Sequence, residues 1–107
     1  MDWLFLYNNI ETKFLKYKEE EKMEELAKKI IQKVRSMYKY DTLLEDIVKT
    51  SATVTISERD GELYLSHITF NWYDVLVVSS SGITYTPDMG RTREIISYDG
   101  FDELLNM

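Results

Sequence analysis

The hydrophobic period of this chain changes once, near residue 50, and the charge changes with it. Before that point apolar residues recur at three- and four-residue intervals among Lys and Glu; after it, Thr, Val, Ile and Tyr dominate with strand-like alternation. A period of 3.6 fits a helix and a period of 2 a strand, so the pattern predicts an α+β fold whose helical part precedes its sheet. Residues 1–40 hold nine Lys/Arg against seven Asp/Glu, and residues 41–107 hold four against twelve. These balances of +2 and −8 sum to the net charge of −6. Such a lopsided field favours cationic partners.

No linker divides the two halves. All four Gly and the one Pro lie after residue 60, and neither a low-complexity tract nor an internal repeat is present. At 107 residues the chain is expected to be a single domain, 1–107, with 1–50 its mainly helical half and 51–107 its sheet half. The absence of Cys rules out disulfides and thiolate metal sites and suits a reducing compartment, so a cytoplasmic location is expected. The apolar run Trp3-Leu4-Phe5-Leu6-Tyr7 lacks a basic lead and is too short to span a bilayer; no signal peptide and no membrane association are expected from it. It reads as a short strand or an apolar arm.

Asn8 and Glu11 have the spacing of a capping box, and the helical period then runs on toward Tyr38. Its apolar stripe changes face. At 100° per residue Ile10, Phe14 and Tyr17 group together, while Met23, Leu26, Ala27, Ile30, Val34 and Met37 group about 150° away around the axis. The switch falls in the charged residues 18–22, where either the chain turns or one continuous helix offers its front stripe elsewhere. Ile10, Phe14 and Tyr17 are therefore candidate self-association residues, and a homodimer is one possible state. A second, short helix is marked by Thr42 and Glu45 at capping-box spacing, with Leu43, Leu44, Ile47 and Val48 on one face.

In the sheet half, Thr53-Val54-Thr55-Ile56 alternates, and Arg59-Asp60-Gly61 turns into Glu62-Leu63-Tyr64-Leu65, a hairpin with Gly at the positive-φ position. Parity then changes: Leu63 and Leu65 fall on one face, Ile68, Phe70 and Trp72 on the other. A bulge near Ser66-His67 would bring all five inside. Residues 71–74 offer a reversal, 75–78 a central strand apolar on both faces, and 93–98 a last strand; Asp99 and Asp102 can start a terminal helical turn carrying Phe101, Leu104 and Leu105. The expected architecture is N-terminal helices packed on one face of a three- to five-stranded antiparallel sheet, with a short C-terminal helical turn. The other face is expected to show Thr53, Thr55 and some of the tyrosines, flanked by Glu58, Asp60, Glu62 and Asp74.

Signals for catalysis are sparse. His67 is the one histidine, so no two-histidine constellation is available, and without Cys the common zinc sets cannot be built. Ser79, His67 and Asp74 supply the types of a Ser-His-Asp set but without a nucleophile-elbow motif. Asp60 and Asp99 precede Gly, where turn formation explains them, and no EF-hand or phosphate-cradling spacing occurs. The expectation is no catalytic residues, no metal and no cofactor. Lys28, Lys29, Lys33, Arg35, Lys39, Arg91 and Arg93 could support nucleic-acid binding, but Glu24 and Glu25 sit at helix-pairing distance and the isoelectric point near 4.8 opposes it. Direct nucleic-acid contact is not expected.

A non-enzymatic acidic interaction protein remains: a small inhibitor or adaptor that binds a basic groove on a protein partner, such as a groove of a host's nucleic-acid-binding machinery. Small acidic proteins of viruses and other mobile elements supply an analogy for this mode of action. Its candidate partner-binding residues are Glu58, Asp60, Glu62, Tyr64 and Asp74. The alternatives are a homo-oligomeric regulatory or structural subunit assembled through the helical half and, behind it, a nucleic-acid-binding protein.

Overall fold

The computed structural model describes residues 10–107, with side chains from Lys18 onward. Helix α1 (Ile10–Met37) leads through a turn to the single-turn α2 (Glu45–Val48). Strands β1 (Ala52–Arg59), β2 (Glu62–Asn71), β3 (Val75–Ser79), β4 (Gly82–Thr86) and β5 (Arg93–Ser97) follow, then α3 (Phe101–Leu105). The sheet is an antiparallel meander in the order β1-β2-β3-β4-β5, so the architecture is α+β as the change of period predicts. The apolar run Trp3–Tyr7, the Asn8 cap and the side chains of Ile10, Phe14 and Tyr17 lie outside the described residues.

Helix α1 is continuous through the charged stretch, which resolves the choice between a turn and one long helix. Residues 18–22 are all Lys or Glu, strong helix formers, and no Gly or Pro interrupts them. The later stripe forms the core face: Ala27, Ile30 and Val34 are buried, with Met23, Leu26, Ile31 and Met37 packed around them. Arg35 closes this layer. Its Nε donates to the Val48 carbonyl at 2.7 Å and a terminal nitrogen donates to that of Thr50 at 2.9 Å, so it satisfies carbonyls at the end of α2. Its guanidinium also lies 5.8 Å from the centre of the Phe70 ring.

The second helix starts differently from the predicted capping box. Asp41, not Thr42, accepts the backbone N–H groups of Leu43 and Leu44, each at 2.8 Å. Asp41 thus takes the capping role one position earlier, its carboxylate reaching the N–H groups two and three residues ahead as an N-cap side chain does. The turn buries Leu44, Ile47 and Val48 and leaves Leu43 outside the core, exposed to 49%.

The β1–β2 hairpin turns on Asp60 and Gly61, both at positive φ (53° and 81°), and Arg59 pairs with Glu62. Two consecutive positive-φ residues match the twist of the flanking strands. Farther along, Thr55 pairs with His67 while Ile56 pairs with Leu65, so Ser66 is the extra residue of a bulge in β2. That bulge puts Leu63, Leu65, Ile68 and Phe70 on the same buried face. Trp72 does not join them, because β2 ends at Asn71 and Trp72 belongs to the following turn.

Strand β3 is the middle strand of the five. Leu76 and Val78 are buried among the helices while Val75 and Val77 are half-buried on the opposite face. Gly82 begins β4 where β5 comes very close: a Cβ there would stand 2.4 Å from the Ile96 carbonyl oxygen, which only glycine avoids. At the end of the chain α3 is capped by Gly100, and Glu103 reaches back to accept the Asp99 N–H at 2.8 Å, so Asp99 is held by the helix and does not cap it. Leu104 is fully buried against α1 and the sheet.

Candidate functional site

An antiparallel meander places alternate turns at opposite ends of the sheet, and this geometry separates the candidate residues found in the sequence. Asp60 and Glu62 stand at the β1–β2 turn, with Glu58 just before it and Tyr64 just after. Asp74 stands at the β2–β3 turn. Between the two turns runs all of β2, whose ten residues span about 30 Å at 3.3 Å per step. The acidic candidates therefore do not form one surface. Tyr64 is partly exposed and lies under the Arg59 guanidinium at 5.3 Å, opposite Ser57, on the face away from the helices. That face also bears Thr53, Thr55, His67 and Thr69.

Among the described tyrosines, Tyr38, Tyr85 and Tyr98 are buried in the core and do not decorate that face. The Tyr98 hydroxyl donates to the Ser79 carbonyl at 2.6 Å, and burial, with the nearby Tyr38, pushes its phenol well above the ordinary range. Tyr85 donates to Asp74 Oδ2 at 2.7 Å. The other oxygen of Asp74 accepts the Asp88 N–H at 2.6 Å. Asp74 thus clasps the β2–β3 turn to the β4–β5 connection. First the Asp88 N–H and then the Tyr85 hydroxyl hold its carboxyl below the usual carboxylate range, while the same bond raises the Tyr85 phenol.

The Ser79, His67 and Asp74 side chains are not assembled for catalysis. His67 and Ser79 are cross-strand neighbours, but the imidazole Nδ1 lies 3.0 Å from Ser66 Oγ and the Asp74 carboxylate is engaged at the far turn. No group of three or more His, Asp or Glu among the described residues could hold a metal ion. Three basic residues of α1 are engaged in local contacts: Lys28 pairs with Glu25 at 3.3 Å, Lys33 donates to the Met107 carbonyl, and Arg35 bridges to the end of α2. No described helix is long and apolar enough to cross a membrane.

The end of the sheet that carries Asp74 brings together groups that sequence reasoning kept apart. Leu43, Asp46 and Ile47 from the α2 region meet Trp72, Tyr73 and Asp74 of the β2–β3 turn around a recess of about 170 Å³. Trp72 and Tyr73 are 53% and 76% exposed, and their rings stack with centres 5.5 Å apart. Beside it, across Leu43, a second recess of about 280 Å³ is lined by Asp41, Tyr85, Arg93, Glu94 and Ile95 among others. A larger recess of about 460 Å³ follows α1 between Lys18 and Lys29, but its described walls come from that helix alone. The end surface thus exposes Leu43, Trp72 and Tyr73, with Asp41, Asp46, Asp74 and Glu94 around them and the cation Arg93 at its edge. Compared with known proteins, the chain matches no family model, no curated protein and no solved structure.

The Asp74 clasp has a pH signature. A carboxyl whose folded value lies below its unfolded value of about 3.9 contributes stability that is fully present above that value and is lost as the pH falls through the folded one. Urea unfolding of the wild type should therefore weaken in acid, below about pH 4, with part of that slope due to Asp74. Asp74→Asn should be less stable at neutral pH and show a shallower acid decline. Superimposable pH profiles for the two proteins would show that the clasp contributes nothing.

Proposed function

We propose that this protein is a non-enzymatic interaction module, a small inhibitor or adaptor that docks on a basic surface of a protein partner through the α2 and β2–β3 end of its sheet. The observation that supports it is the convergence of exposed Leu43, Trp72 and Tyr73 beside Asp46 and Asp74. Trp and Tyr are the residues that most often anchor an interface, because they supply rigid contact area at low entropic cost. Carboxylates around such a centre add orientation and speed to the encounter, and the −8 balance of residues 41–107 steers a cationic partner toward this half. A groove that otherwise holds nucleic acid is one basic surface of the required kind.

Relative to the sequence-based candidates, this moves the contact centre from Glu58, Asp60, Glu62 and Tyr64 to the opposite end of β2, and keeps Asp74. Once affinity capture has identified the partner, association kinetics test the assignment with two variants. Trp72→Ala with Tyr73→Ala should abolish measurable binding at unchanged far-UV dichroism, the scale expected when two anchors of about 2 kcal/mol each are removed. Lys at positions 58, 60 and 62 should slow association and flatten its salt dependence while leaving dissociation nearly unchanged. Normal binding by the Trp72/Tyr73 variant would reject the proposed surface.

A further inference from the structure

We infer that the recess between α2 and the β2–β3 turn receives an arginine side chain of the partner. This rests on the interaction function proposed above and gives that surface a specific chemistry. At about 170 Å³ the recess lies below the roughly 300 to 1,000 Å³ of pockets that enclose small molecules, and suits one long side chain. Asp46 and Asp74 supply negative charge in a lining that is more polar than apolar, and Leu43, Ile47, Trp72 and Tyr73 contribute the smaller apolar part against which an aliphatic stem can lie.

No ion pair among the described residues neutralises this charge, although the Arg93 guanidinium lies nearby, 5.2 Å from the centre of the Tyr85 ring. Asp74 accepts from two neutral donors, the Asp88 N–H and the Tyr85 hydroxyl, which orient the carboxylate without cancelling it. Neither Asp46 nor Asp74 forms an ion pair among the described residues. Each oxygen of Asp74 keeps a lone pair beyond the bond it already accepts. A cation with several donors and a planar face completes such a set. The guanidinium group fits it better than an ammonium, being planar, more weakly hydrated and able to stack on an indole while its edges donate to carboxylates.

The test uses the full chain and three capped peptides that differ at one position: acetyl-Gly-Arg-Gly-amide, its citrulline analogue, which keeps the shape without the charge, and its lysine analogue. Each is titrated into isotope-labelled protein and followed by amide and indole NMR shifts. The arginine peptide should give saturable shifts centred on the Trp72 indole and the backbone of Leu43, Asp46 and Tyr73. Citrulline should bind roughly tenfold more weakly or worse, the scale of one charge-dependent contact, with lysine in between. Asp46→Asn, a change at an exposed side chain, should weaken the arginine response while leaving the remainder of the spectrum in place.

Equal responses to arginine and citrulline, equal responses to arginine and lysine, or shifts centred on residues 58–62 would each overturn the assignment. So would the absence of saturable binding. Failure here with partner binding still lost in the Trp72/Tyr73 variant removes the arginine assignment alone; retention of partner binding in that variant removes the surface itself.

Discussion

Phe70→Ala should cost this domain about 3–5 kcal/mol, much of the 5–15 kcal/mol that holds a typical domain together. Phe70 is fully buried in β2, paired with Ala52 of β1 and Leu76 of β3, and roofed by the Arg35 guanidinium. Truncation removes the transfer free energy of a ring and leaves a cavity that a sheet position hydrogen-bonded on both sides cannot collapse to fill. The midpoint of thermal unfolding should drop by more than about 10 °C. Val77→Ala is the matched control. It lies one strand away on the half-buried face and should cost about 1 kcal/mol or less. Calorimetry and urea titration of both variants measure the difference, and similar losses would mean that the helices do not select one face of the sheet.

A still larger effect should come from deleting one residue of β2, and its size should depend on which. Without Thr69, Ile68 and Phe70 become adjacent and must point to opposite faces, so one of two fully buried side chains is forced outward. Cooperative folding should be lost. Deleting Ser66 should be tolerated within about 1–2 kcal/mol, because the remaining order of Leu65, His67, Ile68, Thr69 and Phe70 then alternates regularly with every buried residue still inside. Equal damage from the two deletions would contradict the bulge register.

The bulge is legible in the sequence because the parity break between Leu63 and Leu65 on one side and Ile68, Phe70 and Trp72 on the other is reconciled by one extra residue near Ser66-His67, and the structure has it at Ser66 for the first four of these. The late α1 stripe and the Asp60-Gly61 turn were legible for the same kind of reason, since each follows from local spacing. Trp72 departs from the expected alternation because strand pairing ends one residue before it, at Asn71. Thr42 has the capping-box spacing, yet Asp41 one position earlier performs the role, in a turn where both residue types can cap.

The candidate surface was out of reach for a different reason. Leu43 and Trp72 are twenty-nine positions apart, and nothing local says that the α1–α2 turn and the β2–β3 turn meet. One signal was present: residues 72–74 form a tight reversal, yet two of the three are large aromatics where Gly, Asn or Ser would be ordinary. Solvent-facing Trp and Tyr side chains in a turn have no core to fill. Tyrosine number by itself misled, since Tyr38, Tyr85 and Tyr98 are core residues and only position in the fold separates them from Tyr40, Tyr64 and Tyr73.

Site-specific photo-crosslinking tests the location of the contact surface most directly, because it works on a partner whose identity is still unknown. A benzoyl-phenylalanine placed at Tyr73 should yield a discrete crosslinked species in the source cells, diminished by high salt and absent when Leu43→Glu is combined with it. The same group at Tyr64, on the sheet face near the β1–β2 turn, should yield none. A discrete product from position 64 with none from position 73 would contradict the proposed surface and return the contact to Glu58, Asp60 and Glu62.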